Sequence, residues 1–339
     1  MASDKYIFHL TGPSHLITVD WNNSHHHRSV AASLVHGVYV LEDDYQRNRK
    51  GPESLAPPWW GFFHFQLLHC LMDNNSIFGA VYEFKPPNSN FHRSIQKAPR
   101  YVIAFQGTVF RPGSFTCDLR SVILTVKNEV SVTSRFEIAI QTVQNMVAAV
   151  GASNTWLTGH SLGSTLAMLT GKNMARTGIY LQAFLFNPPF LSTPFEWIKD
   201  EKLKECIRVT RSFITAGLAI VLKDPRQRSG LEDDFVALSS WVPCLFVNPA
   251  DPISSEYIGY FGNRKQMEEI GARKIGELAT QNSIPNLLFG KKESEPLHVL
   301  PSANLTINLS SSSNSKLAHE IFQWWSKKVR LHSKLYQYK

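Results

Sequence analysis

The sequence predicts an α/β fold, a mostly parallel sheet flanked by helices, and three observations carry that expectation. Between Val132 and Phe186 a long helix, a strand, a second helix and a second strand follow one another with short links, the alternation that a parallel sheet wrapped by helices requires. Two glycines, Gly159 and Gly163, bracket a serine where that first strand runs into the second helix. Hydrophobic residues make up 43% of the 339 and charged residues 18%, enough apolar material for a large core and no reason to expect disorder.

The elements follow in order. Val30, Leu34, Val38 and Leu41 recur at helical spacing and predict a helix over 29–45, ended by the charged stretch 43–50 and by Pro52, Pro57 and Pro58. Ile77 to Phe84 and Tyr101 to Phe105 are short, β-rich and bounded by turn residues, so both are expected as strands. Phe136, Ile140, Val143, Val147 and Val150 mark one face of a helix over 132–150, closed by Gly151. A strand over 155–158, a helix over 164–176 and strands over 181–186 and 244–247 come next, with a last strand within 299–309.

Pro188-Pro189 opens a long interval with no convincing strand. It holds the apolar run Phe213 to Leu222 and the polar stretch Asp224 to Asp234, and residues 190–240 read as a cap-like insertion within a single domain spanning 1–339. Phe190, Phe195, Trp197, Leu218 and Val221 could form a mobile lid or plain core.

The formal net charge of +8 permits attraction to anionic lipid or nucleic acid without requiring either, and no nucleic-acid partner is expected. Lys327, Lys328, Arg330, Lys334 and Lys339 cluster at the C-terminus with Trp324, Trp325, Tyr336 and Tyr338 among them. They read as a solvated tail, with contact to an anionic membrane surface as the alternative. Cys70, Cys117, Cys206 and Cys244 are widely spaced and read as reduced core residues. The N-terminal residues lack the apolar run of a signal peptide, and no stretch approaches the roughly 18 to 20 apolar residues of a membrane span. The expectation is a cytoplasmic protein, soluble or peripherally bound to lipid.

Gly159-His160-Ser161-Leu162-Gly163 is a G-x-S-x-G between a strand and a helix. Such a turn is so tight that positions two before and two after the serine must be nearly free of side chain. The helix that follows carries Gly163, Ala167, Gly171 and Ala175 as a small-residue stripe, suited to close packing on the sheet. A serine hydroxyl needs a base to take its proton and a carboxylate to orient that base, in the chain order Ser, Asp or Glu, His. Asp251 leaves the strand 244–247 through a turn between Pro249 and Pro252 and is the favoured acid; a helix N-cap is its bland reading, and Asp233 and Asp234 are weaker rivals. Of the later histidines, His298 precedes the last strand, His332 lies in the basic tail, and His319 follows the strand on a loop, which favours His319 as base. His160 should point into the packing around the turn.

The developing negative oxygen of a tetrahedral intermediate needs two donors. One is expected from the backbone N–H of Leu162, the other from Phe105-Gln106-Gly107-Thr108, where Thr108 offers N–H and hydroxyl. His25-His26-His27 resembles a metal tract but lacks partners at ligand spacing; it reads as a solvated loop leading into a helix. No metal or other cofactor is called for.

With these residues the chain resembles plant members of the class 3 lipase group of α/β-hydrolases over roughly residues 25 to 339. The group's oxyanion strand, elbow and acid loop are similar to Phe-Gln-Gly-Thr108, Gly-His-Ser161-Leu-Gly and Asn248-Pro-Ala-Asp251-Pro-Ile. Its late A/C-H-D/E segment resembles Ala318-His319-Glu320, with aromatics following, and its earlier non-catalytic histidine resembles His298. Two departures stand out: Gln106 replaces the usual Arg, and the interval from elbow to acid is long. Plant proteins of this kind are often labelled GDSL esterase/lipase, although no Gly-Asp-Ser-Leu run occurs here. The resemblance implies hydrolysis of carboxylic esters, first of lipids, with a soluble carboxylesterase or acyltransferase on small plant esters as one alternative and a non-catalytic ligand binder as another.

Overall fold

A computed structural model describes residues 4–86, 97–107, 130–190, 237–269, 300–310 and 314–338, and of 130–133 and 265–269 the backbone alone. Eight strands form one sheet, β1 (Phe65–Asp73), β2 (Ser76–Phe84), β3 (Tyr101–Phe105), β4 (Thr155–His160), β5 (Gln182–Phe186), β6 (Cys244–Val247), β7 (Ala303–Asn308) and β8 (Leu331–Tyr336). They lie side by side in chain order. β3 to β7 are parallel, while β1, β2 and β8 run antiparallel to their neighbours. The helices are α1 (Phe8–Thr11), α2 (Ser24–Gln46), α3 (Pro58–Gly61), α4 (Val130–Val150), α5 (Leu162–Arg176), α6 (Glu256–Glu269) and α7 (Ser315–His319).

Strand order explains why both ends of the chain are needed. Crossovers between parallel strands are almost always right-handed, so strands laid down in chain order send their connecting helices to one face. On that face Ala139 and Val143 of α4, Leu166, Ala167 and Met168 of α5, and Tyr257 and Phe261 of α6 pack with Ile103, Phe105, Leu157, Leu185 and Leu245. The other face would be bare. It is covered by α2, whose Val30, Leu34, Val35 and Val38 pack with Val102, Ala104, Trp156, Phe184 and Phe246, joined by Trp59 and by Trp324 and Trp325 from a 3₁₀ turn at Ile321–Trp325. Burying each such Val, Leu or Phe stabilises the fold by about 1.5–3 kcal/mol.

Elements expected from periodicity appear within a few residues of their expected bounds. β1 was not expected: register irregularities between Leu67 and His69 and between Leu71 and Met72 break its alternation, and as an edge strand it is half-exposed. The C-terminal residues correct the solvated-tail reading. Residues 331–336 are strand β8, paired with β7 from Leu331–Asn308 to Tyr336–Ala303. Its basic residues suit an edge strand, where charge discourages further pairing. His332 is exposed on this strand. The triple histidine forms the first turn of α2 and not a loop before it, with the Asn23 side chain accepting from the His25 N–H at 2.9 Å.

The stripe on α5 serves two contacts. A side chain at Gly163 would strike the backbone of Phe105 and Gln106, whereas one at Gly171 would strike the ring of Trp241 and not the sheet. Of the cap-like interval only Phe190 and residues 237–240 lie within the described residues; the rest, with Cys117, Cys206, Asp233, Asp234 and His298, falls outside them. Cys70 and Cys244 are partly buried free thiols.

Candidate active site

Five consecutive parallel strands each deliver one residue from the carboxyl end to the same rim of the sheet. Gly107 follows β3, Ser161 follows β4, Asn187 follows β5, Asp251 follows β6 and His319 follows β7. In open α/β sheets that rim is where ligands bind.

Ser161 has φ 54° and ψ −126°, a backbone conformation strained for a side-chain-bearing residue. Its N–H is held by the Phe186 carbonyl at 3.0 Å, and its own carbonyl accepts from the Ser164 hydroxyl at 2.5 Å. A Cβ on Gly159 would collide with the backbone of Gly163, which gives the bracketing glycines their reason. Because α5 begins at Leu162, that N–H has no intrahelical acceptor.

Asp251 is wholly buried and His319 is 3% exposed, and His319 Nδ1 lies 3.1 Å from Asp251 Oδ2. With the ring hydrogen on Nδ1 donated to the carboxylate, Nε2 is the nitrogen left to handle another proton. The same Oδ2 accepts from the Ser254 hydroxyl at 2.6 Å and from the Asn187 amide at 2.7 Å, and Oδ1 accepts from the Ile253 N–H at 3.0 Å. Four donors thus satisfy one carboxylate that is buried away from water.

Two residues that sequence reasoning missed brace this pair. Asn187, left-handed at φ 47°, donates also to the Ala318 carbonyl at 3.1 Å and accepts from Trp324 Nε1 at 2.7 Å. Gln323 donates to the carbonyls of Ala318 and Glu320 at 2.6 and 2.9 Å, while its oxygen accepts from Asn248 and Asn308 at 2.7 and 2.8 Å. The available signals were an Asn ending a buried strand before Pro188 and a polar residue among the aromatics after His319.

His160 is 6% exposed and does more than fill space. Strand alternation puts it on the same face as Trp156, toward α2, where Nδ1 meets the Tyr39 hydroxyl at 2.9 Å; Nε2 meets the His319 carbonyl at 2.7 Å. Burial, and after it the proximity of His319, pushes its pKa well down. Gln106, where an Arg was the family habit, donates its amide to the Ile77 carbonyl at the start of β2. Thr108 falls outside the described residues. Gly107 sits hard against the elbow: a Cβ there would lie 2.7 Å from Ser161 Cβ and from the His160 carbonyl. Among the described residues no group of three or more His, Cys, Asp or Glu is placed to hold a metal ion, and no helix is long and apolar enough to cross a membrane.

Comparison with known proteins adds three findings. The family described as Lipase (class 3) matches residues 91–211. An Arabidopsis thaliana protein named a GDSL esterase/lipase is 50% identical over 351 aligned positions, covering 100% of both chains. Among solved structures, a lipase from Rhizopus microsporus var. chinensis aligns at 14% identity with a TM-score of 0.31, over 49% of this chain and 59% of that one. Fungal esterases from Rhizomucor miehei align at 14% identity and a TM-score of 0.30, over 77% of this chain and 82% of theirs.

Proposed function

The chain belongs to the class 3 lipase family of α/β-hydrolases and is a carboxylic ester hydrolase, and from that premise we propose that it cleaves lipid acyl esters through an acyl-enzyme on Ser161. The observation that carries this reading is the buried Asp251–His319 contact of 3.1 Å on the rim that also bears Ser161. In the proposed reaction His319 Nε2 takes the Ser161 hydroxyl proton as Oγ attacks the ester carbonyl. Asp251 orients the ring and stabilises its imidazolium form. The negative oxygen of the tetrahedral intermediate is held by the N–H of Leu162 and by Thr108, each such donor being worth about 3–4 kcal/mol. Collapse expels the alcohol with the proton from His319, and water activated by the same nitrogen then releases the carboxylic acid and restores Ser161.

The lipid character of the acyl group rests on the apolar run Phe213 to Leu222, material for an acyl pocket in the interval between elbow and acid. The setting that goes with it is cytoplasmic, at or near a lipid surface.

The test is Ser161→Ala, followed by p-nitrophenyl ester turnover and by covalent labelling with a fluorophosphonate. Both should vanish in a folded protein, and retained labelling removes Ser161 from the role. An acyl-chain series from acetate to palmitate then tests the lipid part: preference for the shortest ester, unaffected by detergent, refutes it.

A further inference from the structure

We infer that Tyr39 and His160 form a positioning relay that ties the oxyanion turn to the backbone of the proposed base. The inference rests on the serine-hydrolase reading above.

The direction of every hydrogen bond in the relay is fixed by elementary chemistry. The His319 carbonyl can only accept, so the Nε2 nitrogen 2.7 Å away carries the ring hydrogen of His160. A neutral imidazole then has Nδ1 as acceptor, and the Tyr39 hydroxyl at 2.9 Å donates to it. Having spent its one hydrogen, the Tyr39 oxygen accepts the N–H of Gly107 at 2.7 Å. The chain runs from Gly107 N–H to Tyr39 to His160 to the His319 carbonyl without a gap. Burial keeps both side chains in the required neutral forms, pushing the His160 imidazolium well down and the Tyr39 phenol up.

Two consequences follow for the site. The Gly107 N–H is committed to Tyr39, so it is not a donor for the reaction's negative oxygen; the turn must offer the next residue, Thr108. The relay also fixes the peptide of Gly107 while this residue presses against Ser161 Cβ, and it fixes the peptide after the His319 ring from the opposite end. Nucleophile, oxyanion turn and base thereby share one rigid reference, the α2 face of the sheet. The two rings are also neighbours, His160 and His319 lying 4.9 Å apart between centroids with their planes inclined at 45°.

The test uses the full chain. First, fluorophosphonate labelling of the unaltered protein must land on Ser161; a label elsewhere refutes the nucleophile assignment itself and is read before any relay variant. Tyr39→Phe then keeps the ring and deletes the hydroxyl. The expected result is a fall in kcat of roughly 10- to 100-fold with KM within about 3-fold. A trifluoromethyl ketone, which forms a tetrahedral adduct, should weaken in the same proportion, whereas binding of the product acid should not. His160→Gln, which keeps a donor for the His319 carbonyl, should retain more activity than His160→Leu. The relay is overturned if Tyr39→Phe melts earlier yet keeps kcat and ketone affinity within about 2-fold, a residue needed only for packing. Equal activity in the folded Gln and Leu variants overturns it as well.

Discussion

Asn187 donates its amide to Asp251 Oδ2 at 2.7 Å while the same nitrogen lies 3.1 Å from the Ala318 carbonyl, so one side chain joins the acid to the residue before the proposed base. Asn187→Ala removes the amide's hydrogen bonds to Asp251 and the Ala318 carbonyl and leaves Trp324 Nε1 without its acceptor. We expect a stability loss of about 2–4 kcal/mol and a drop in kcat of about 10- to 100-fold. Denaturant unfolding and ester kinetics measure both. Unchanged kcat in the folded variant assigns Asn187 to structure alone.

His319 and His298 can be separated by paired variants. His319→Ala should cost roughly three or more orders of magnitude in turnover, and His298→Ala little. If His298→Ala is the dead protein while folded, the base has been misassigned.

Gly107→Ala inserts a methyl group 2.7 Å from Ser161 Cβ and 2.9 Å from the Tyr39 hydroxyl. Those neighbours are backbone, a strained elbow and a bonded phenol, none free to move. Overpacking of this kind costs about 1–3 kcal/mol, and ester turnover should fall more steeply than thermal stability. Wild-type turnover from the alanine variant contradicts the close approach.

His36 supplies a pH prediction. Its ring sits among Tyr6, Tyr39, Trp59, Phe322 and Trp325, and its Nε2 donates to the Lys5 carbonyl at 3.0 Å. Burial lowers its pKa from 6.5 to about 3. The unfolded chain therefore takes up a proton that the folded one refuses, so stability is full above pH 6.5 and is lost as pH falls from there toward 3. At pH 5 the loss is about 2 kcal/mol from this residue. His160 shifts in the same direction and adds to it. The melting temperature should drop between pH 7.5 and 5 by less in His36→Gln, which cannot titrate, than in the unaltered chain. Equal drops in the two proteins would falsify this account.

What was legible in the sequence follows from how local each signal is. The elbow is local, since two glycines two residues either side of a serine announce the strained φ that the structure displays at Ser161. Helices α2, α4 and α5 carried their periodicity openly, as did the buried strands β3 to β6. The edge strands did not: β1 has a broken alternation, and β8 carries His332 and Lys334 just after Lys327, Lys328 and Arg330, a basic run that resembles a tail when its partner β7 is unseen. The braces were illegible for a different reason. Asn187, Gln323, Tyr39 and His160 matter through contacts that span from 3 to 159 residues, and no pattern in one sequence marks which polar side chain reaches which carbonyl. Gln106 shows the converse, a departure conspicuous in the motif whose side chain turns away to β2.

The strand order has a consequence for how the enzyme comes into being. A nascent chain that has laid down β3 to β6 already holds Ser161 and Asp251, but His319 is still unmade, and its seat depends on partners from both ends. Arg28 Nε donates to the Trp324 carbonyl at 2.6 Å and Trp325 Nε1 to the Thr11 carbonyl at 2.8 Å, contacts 296 and 314 residues apart in the chain. Pairings of such long separation close late in folding. On the proposed assignment of His319 as base, hydrolysis waits on the docking of the last strands, the part of the chain made last.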